Sequence, residues 1–97
     1  MKEVNLILEN KSRFLKYLKS KYTLIHLSNI FFRDMHYGLM DYLKEYGKKV
    51  NYTEAEKVTR EVCETFEKEG ILKKINNRTW MLNYPEFALP QVEKKAS

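Results

Sequence analysis

Cysteine, proline and glycine are all scarce in these 97 residues: the chain holds one Cys, two Pro and three Gly. A lone Cys63 excludes an internal disulfide and a thiolate cluster for zinc. So few chain-bending residues favour long regular elements over a loop-rich fold. No apolar run approaches the roughly 18 residues of a membrane span. The opening "MKEVNLILEN" lacks the pattern of a signal peptide, so a cytoplasmic protein is expected. Histidine is limited to His26 and His36. Asp34 lies near His36, but no third ligand is spaced for a metal. There is no glycine-rich phosphate loop and no Ser/His/Asp arrangement. Cys63 stands among glutamates, which disfavour its thiolate. The chain reads as a non-enzyme that needs neither cofactor nor metal.

What is present is aromatic side chain and unevenly placed charge. Seven Tyr, five Phe and one Trp can support a packed core, so wholesale disorder is not expected, and the length allows one domain. The net charge is +5. Residues 1–33 carry a surplus of five cations, whereas residues 61–69 hold four Glu against Lys68. Residues 70–83 carry Lys73, Lys74 and Arg78 with no acid. Clustered positive charge attracts phosphate, although solvated lysine is also ordinary surface chemistry.

Apolar spacing predicts three helices. Over residues 10–22, Phe14, Leu15, Leu18 and Tyr22 share a stripe, with Asn10 or Ser12 as the cap. Over 30–46 the stripe is Phe32, Met35, Leu39, Leu43 and Tyr46, and Gly47 stops the helix. Over 53–69 it is Ala55, Val58, Thr59, Val62 and Phe66, with Thr53 as N-cap and Glu56 completing a capping box. "VNLIL" before the first helix extends it or forms a strand, and "TLIHL" at 23–27 is a strand or a connector. After Gly70, "ILKKI", "NN" and "RTWML" read as a hairpin across 71–83 turning at Asn76-Asn77. That register sets Ile75 opposite Arg78 and Lys73 opposite Trp80. The expected fold is mainly α with a small β-hairpin, a three-helix domain over 1–84 followed by an extended arm at 85–97.

The segments "FEKEGILKKI" and "RTWML" resemble the last helix and wing of winged-helix proteins. "FFRDMHYGLMDYL" followed by "TEAEKVTREVCETFEKEGILKKI" is similar to DEP domains, signalling variants of that fold, without their long β-arm between the helices. The resemblance covers about two thirds of the chain. It implies that helix 53–69 is a recognition helix and that the chain binds duplex DNA as a regulator. That helix is net negative by three, so only its N-terminal half suits a groove lined with phosphates. Candidate nucleic-acid contacts are Lys48, Lys49, Thr53, Lys57, Arg60, Lys73, Lys74 and Arg78, with Glu61, Glu64, Glu67 and Glu69 pointing away. Trp80 caps the core or stacks on a partner. The rival expectation is a protein–protein adaptor on the same fold, using Glu56, Glu64 and Glu67. Lysines on the first helix could touch phosphate or an acidic surface. The sequence leaves the oligomeric state open, a homodimer included.

Overall fold

Val4 and Ile7 are buried one helical turn apart, and that spacing makes "KEVNLIL" a helix of its own. The computed structural model describes residues 2–89. In it α1 spans Lys2–Leu8 and α2 spans Lys11–Lys21. Asn10 separates them, its side-chain amide donating to the Leu6 carbonyl at 3.3 Å. In α2 the expected Phe14, Leu15 and Leu18 are buried, while Tyr22 ends the helix half-exposed.

"TLIHL" is a connector, and a strand forms just after it. The strand β1, Asn29–Phe31, leads directly into α3, Phe32–Glu45. Residues 30 and 31 are therefore extended, where the apolar spacing predicts helix. Three residues are too few to display a strand period, and Ile30, the buried one, also fits a helical stripe. In α3 the buried set is Phe32, Met35, His36, Gly38, Leu39, Tyr42 and Leu43. Tyr46 drops out of the stripe because it is the C-cap and exposed. A Cβ placed at Gly38 would run into Leu18 Cδ2, so glycine leaves room for the Leu18 side chain of α2 against α3.

The fourth helix, α4, spans Tyr52–Lys68, and its whole predicted stripe is buried, with Cys63 added. The cap differs from expectation. Asn51, not Thr53, is the N-cap, and Glu54, not Glu56, completes the capping box. "NYTE" and "TEAE" both match that pattern two residues apart. Asn is the better cap, and starting there adds residues to the helix and lets His36 Nε2–H donate to the Tyr52 carbonyl at 3.1 Å. At the other end Gly70 takes φ +81°. The Ile71 and Gly70 amides return to the carbonyls of Phe66 and Glu67 at 2.8 and 3.1 Å, which satisfies the last turn of the helix.

The strands β2, Leu72–Asn76, and β3, Thr79–Leu82, form the expected hairpin in a shifted register. Observed partners are Leu72 with Leu82, Lys73 with Met81, Lys74 with Trp80 and Asn76 with Thr79, with an irregularity at Ile75. The turn is Asn77-Arg78, and Asn76 Oδ1 accepts from the Arg78 amide at 2.9 Å. Core burial explains the shift: Trp80 and Leu82 face inward, and this register gives them Leu72 as a neighbour. Ile71 is only partly buried. A one-residue slip exchanges faces, so Lys74 replaces Lys73 on the tryptophan side. The third strand β1 pairs antiparallel with β3, giving the order β1-β3-β2.

The helices and one face of this small sheet enclose the core, where Phe14 meets Tyr42 edge-on at 5.1 Å and Phe66 at 6.4 Å. The architecture is mainly helical, four helices rather than three, with a small three-stranded antiparallel sheet. Of the segment read as an extended arm, Pro85–Phe87 forms a 3-10 turn with Phe87 buried. The Tyr84 amide, just before that turn, donates to His26 Nδ1 at 3.0 Å. Residues 90–97 of that arm lie outside the described residues. No described helix is long and apolar enough to cross a membrane.

Two measurements check this account. Asn51→Ala should lower stability by about 1 kcal/mol, while Thr53→Ala should change it by less than about 0.5 kcal/mol. Equal costs in urea titration would restore Thr53 as the cap. Phe66→Ala should cost about 3–5 kcal/mol, and a loss below about 1 kcal/mol would contradict its place at the centre.

Candidate nucleic-acid interface

The first residue of α3 organises the surface between α4 and the hairpin. The Phe32 amide donates to the Arg78 carbonyl at 2.9 Å, which seats the phenyl ring beside the turn. Arg60, from α4, places its guanidinium carbon 4.9 Å from the Phe32 centroid, and Arg78 places its own at 5.4 Å. Two cations from distant parts of the chain therefore rest on one aromatic ring, which they help to bury to 3% exposure. Each such contact contributes about 0.5–1 kcal/mol at an exposed site. The larger consequence is that both guanidiniums are held in place.

Beside them opens a cleft of about 320 Å³ lined by Arg60, Lys74 and Arg78, and also by Glu64 and Glu67. Trp80 forms part of its wall, and its indole N–H donates to Glu67 Oε2 at 2.6 Å. Trp80 is thus a buried residue with a satisfied donor, and Lys74, not Lys73, is its cross-strand partner. Cys63, the remaining wall residue with chemistry, has its thiol pKa pushed up by burial and then by nearby Glu67. It is a protonated, unreactive thiol at neutral pH.

The other candidate residues are placed apart. Lys49 and Lys57 line a second hollow with Glu3 and Glu54, on the α1 side of α4. Lys48 is half-buried, and Thr53 is exposed on the first turn of α4. Lys73 pairs with Met81 and faces away from Trp80. The eight candidates thus form two groups and a remainder. Two of the glutamates expected to point away do not: Glu64 and Glu67 share the cleft with the cations. A rise of 100° per residue puts Glu67 on the same flank as Arg60. Glu69 pairs with Lys11 at 2.8 Å, and Glu56 pairs with Arg60 at 3.1 Å.

No residue of α2 lines the cleft, and its cations have contacts of their own. Lys16 lies 3.8 Å from Glu86, and Lys19 donates to the Leu24 carbonyl at 3.0 Å. Arg13 donates to the Tyr46 hydroxyl at 2.9 Å. That bond, with a second from Tyr42, holds the Tyr46 phenol below its usual pKa, while burial pushes Tyr42 up.

The residue that sequence reading missed is Phe32 as a platform. Its place in an apolar stripe reads as ordinary core, because nothing local shows that a turn 46 positions later returns to it. A pair of exposed tyrosines was missed as well. Tyr37 and Tyr52 are 44% and 55% exposed with ring centroids 6.2 Å apart, and Tyr37 lying off the apolar stripe was the available signal. Among the described residues no three His, Cys, Asp or Glu side chains are grouped to hold a metal. Compared with protein-family models, curated proteins and solved structures, the chain matches none.

The bond from Trp80 to Glu67 is open to test through the single tryptophan. Glu67→Ala leaves a buried indole N–H without its acceptor and should cost about 1–3 kcal/mol, with a shift in tryptophan emission. Glu67→Gln keeps an acceptor and should cost less. Identical emission and stability in all three proteins would show that the bond does not form.

Proposed function

We propose that the chain is a winged-helix domain that binds duplex DNA and acts as a transcriptional regulator in the cytoplasm. The order α2-β1-α3-α4-β2-β3 with sheet order β1-β3-β2 supports the winged-helix reading. It makes α4 the recognition helix and the Asn77-Arg78 turn the wing. The observation that carries the DNA reading is the pair Arg60 and Arg78 on the Phe32 ring. One guanidinium comes from the recognition helix and the other from the wing, and both are fixed before any ligand arrives. Preorganised arginines lose less freedom on meeting phosphate than free ones.

In this reading the first two turns of α4 enter the major groove with Thr53 and Lys57 outward. Arg60, Lys74 and Arg78 meet the adjoining phosphates. The helix dipole adds roughly half a positive charge at that end, but the capping box already uses two of its backbone donors. The side-chain cations therefore carry the attraction. The protein acts as a monomer or a homodimer.

A second reading is a protein–protein adaptor, and one observation favours it. Positive charge is not continuous: Glu64 and Glu67 interrupt one basic group, and Glu3 and Glu54 the other. A partner with both signs of charge suits that surface better than a phosphate backbone does.

Fluorescence anisotropy with duplex DNA at about 50 and 200 mM salt separates the two, because counterion release sets the slope at about 0.9 per phosphate contact. Lys74→Ala with Arg78→Ala should weaken binding and flatten the slope by nearly two units. Glu64→Lys should strengthen binding, since it adds a cation to the cleft. An adaptor gives the opposite ranking, with Glu64 and Glu67 needed for the partner and the wing cations dispensable. Absence of binding by the unaltered protein at the lower salt would end the DNA reading.

A further inference from the structure

Beside the arginine pair lies an exposed aromatic surface. Tyr37, on α3, and Tyr52, the first residue of α4, are both exposed to about half their area. They are not loose side chains. The buried His36 ring lies 4.4 Å from Tyr52 and 5.6 Å from Tyr37 between centroids. The His36 ring is in turn fixed by its bond to the Tyr52 carbonyl. Because a carbonyl only accepts, Nε2 carries the proton, so the ring has one orientation. Two tyrosine faces are thus held at the surface on a buried support. The Tyr52 phenol pKa is raised, first by the neighbouring Tyr37, so the Tyr52 ring is presented as a neutral phenol at neutral pH.

The charge around this pair selects its occupant. Tyr52, Glu56 and Arg60 follow one another along the same flank of α4 at a spacing of four. Glu56 is tied to Arg60, and Arg78 stands close enough to act on the Tyr52 hydroxyl. An exposed aromatic face flanked by fixed guanidiniums matches a nucleotide, base on ring and phosphate on cation. In a duplex the base faces are hidden in the stack, so only an unpaired base can use the tyrosines.

We infer that Tyr37 and Tyr52 receive an unpaired nucleobase, so that the protein prefers DNA in which a duplex passes into a single strand. This rests on the DNA reading of the cleft and names its substrate more closely. One stacked base gives a preference of about five- to 150-fold.

Three labelled probes test it: a blunt duplex, the same duplex with a short unpaired tail, and the tail alone. The tailed duplex should bind about five- to 150-fold more tightly than the blunt one. Tyr37→Ala should abolish that preference and leave blunt-duplex affinity unchanged, whereas Tyr37→Phe should retain it. Tyr52→Ala should also abolish the preference, and Tyr37→Ala alone is read for unchanged blunt-duplex affinity, because Tyr52 lies in the first turn of α4 and Tyr37 does not. Equal affinity for blunt and tailed duplexes overturns the inference and leaves the duplex reading standing. A tail preference that survives both alanine variants also overturns it. Binding to none of the probes overturns both readings, and a protein that captures only a protein partner through these tyrosines falls under that outcome.

Discussion

Three residues of antiparallel pairing hold this structure in register. Asn29, Ile30 and Phe31 lie against Met81, Trp80 and Thr79, and the run ends with the Phe32 amide on the Arg78 carbonyl. Without that pairing the hairpin would be two strands only, and an isolated two-stranded hairpin is marginal in water. The pairing also sets the start of α3, whose first amide finds its acceptor in the hairpin turn rather than in a side-chain cap. Once Phe32 is pinned there, its ring lies under Arg78. Trp80, held beside Ile30, reaches Glu67 with its indole. The cleft is a consequence of the short strand.

The same strand shows why sequence reading stops where it does. Helices α3 and α4 were legible because their apolar residues recur at spacings of three and four over fourteen and seventeen residues. The hairpin was legible from its apolar runs and paired asparagines. Its register was not, because Ile75 fits either face and only the inward turn of Leu72, Trp80 and Leu82 decides between them. The strand β1 was hidden because its buried Ile30 also fits the stripe of the helix that follows. Capping was ambiguous for a chemical reason: Asn51 and Thr53 each have a glutamate three residues on, so pattern alone cannot choose.

The candidate site was legible as a set of residue types and not as a place. Arg60, Lys74 and Arg78 were named from charge, and they do converge. Lys49 and Lys57 were named on the same grounds and lie in another hollow. Helical phase could have separated them, since Lys57 and Arg60 lie about 60° apart around α4 when each residue advances 100°. Which side meets the hairpin depends on the packing of α1 against α4, a contact between residues some 50 positions apart. Long-range contacts of this kind leave no local trace.

Charge along residues 53–69 is less hostile to phosphate than its sum of minus three suggests. Four of the six glutamates already have partners: Glu54 in the capping box, Glu56 on Arg60, Glu67 on Trp80 and Glu69 on Lys11. Of those partners only Lys11 is a cation from outside the segment, so it alone reduces that sum, to minus two. Among the described residues Glu61 and Glu64 have no such contact, and only Glu64 lines the cleft. Two unit charges about 4 Å apart in water interact by about 1 kcal/mol, and salt screens them beyond about 8–10 Å. Glu67 adds its charge to the same cleft, but its position is set by the indole. Arg60 and Arg78 are fixed by Phe32 at the near end of the cleft. Glu64 lies one helical turn past Arg60, toward the C-terminus of α4. A phosphate backbone crossing at Arg60 and Arg78 meets net positive charge, and one crossing a turn further on meets net negative charge. In the DNA reading, the place where a ligand crosses the helix therefore decides the sign of charge it meets, which a net charge of +5 does not reveal.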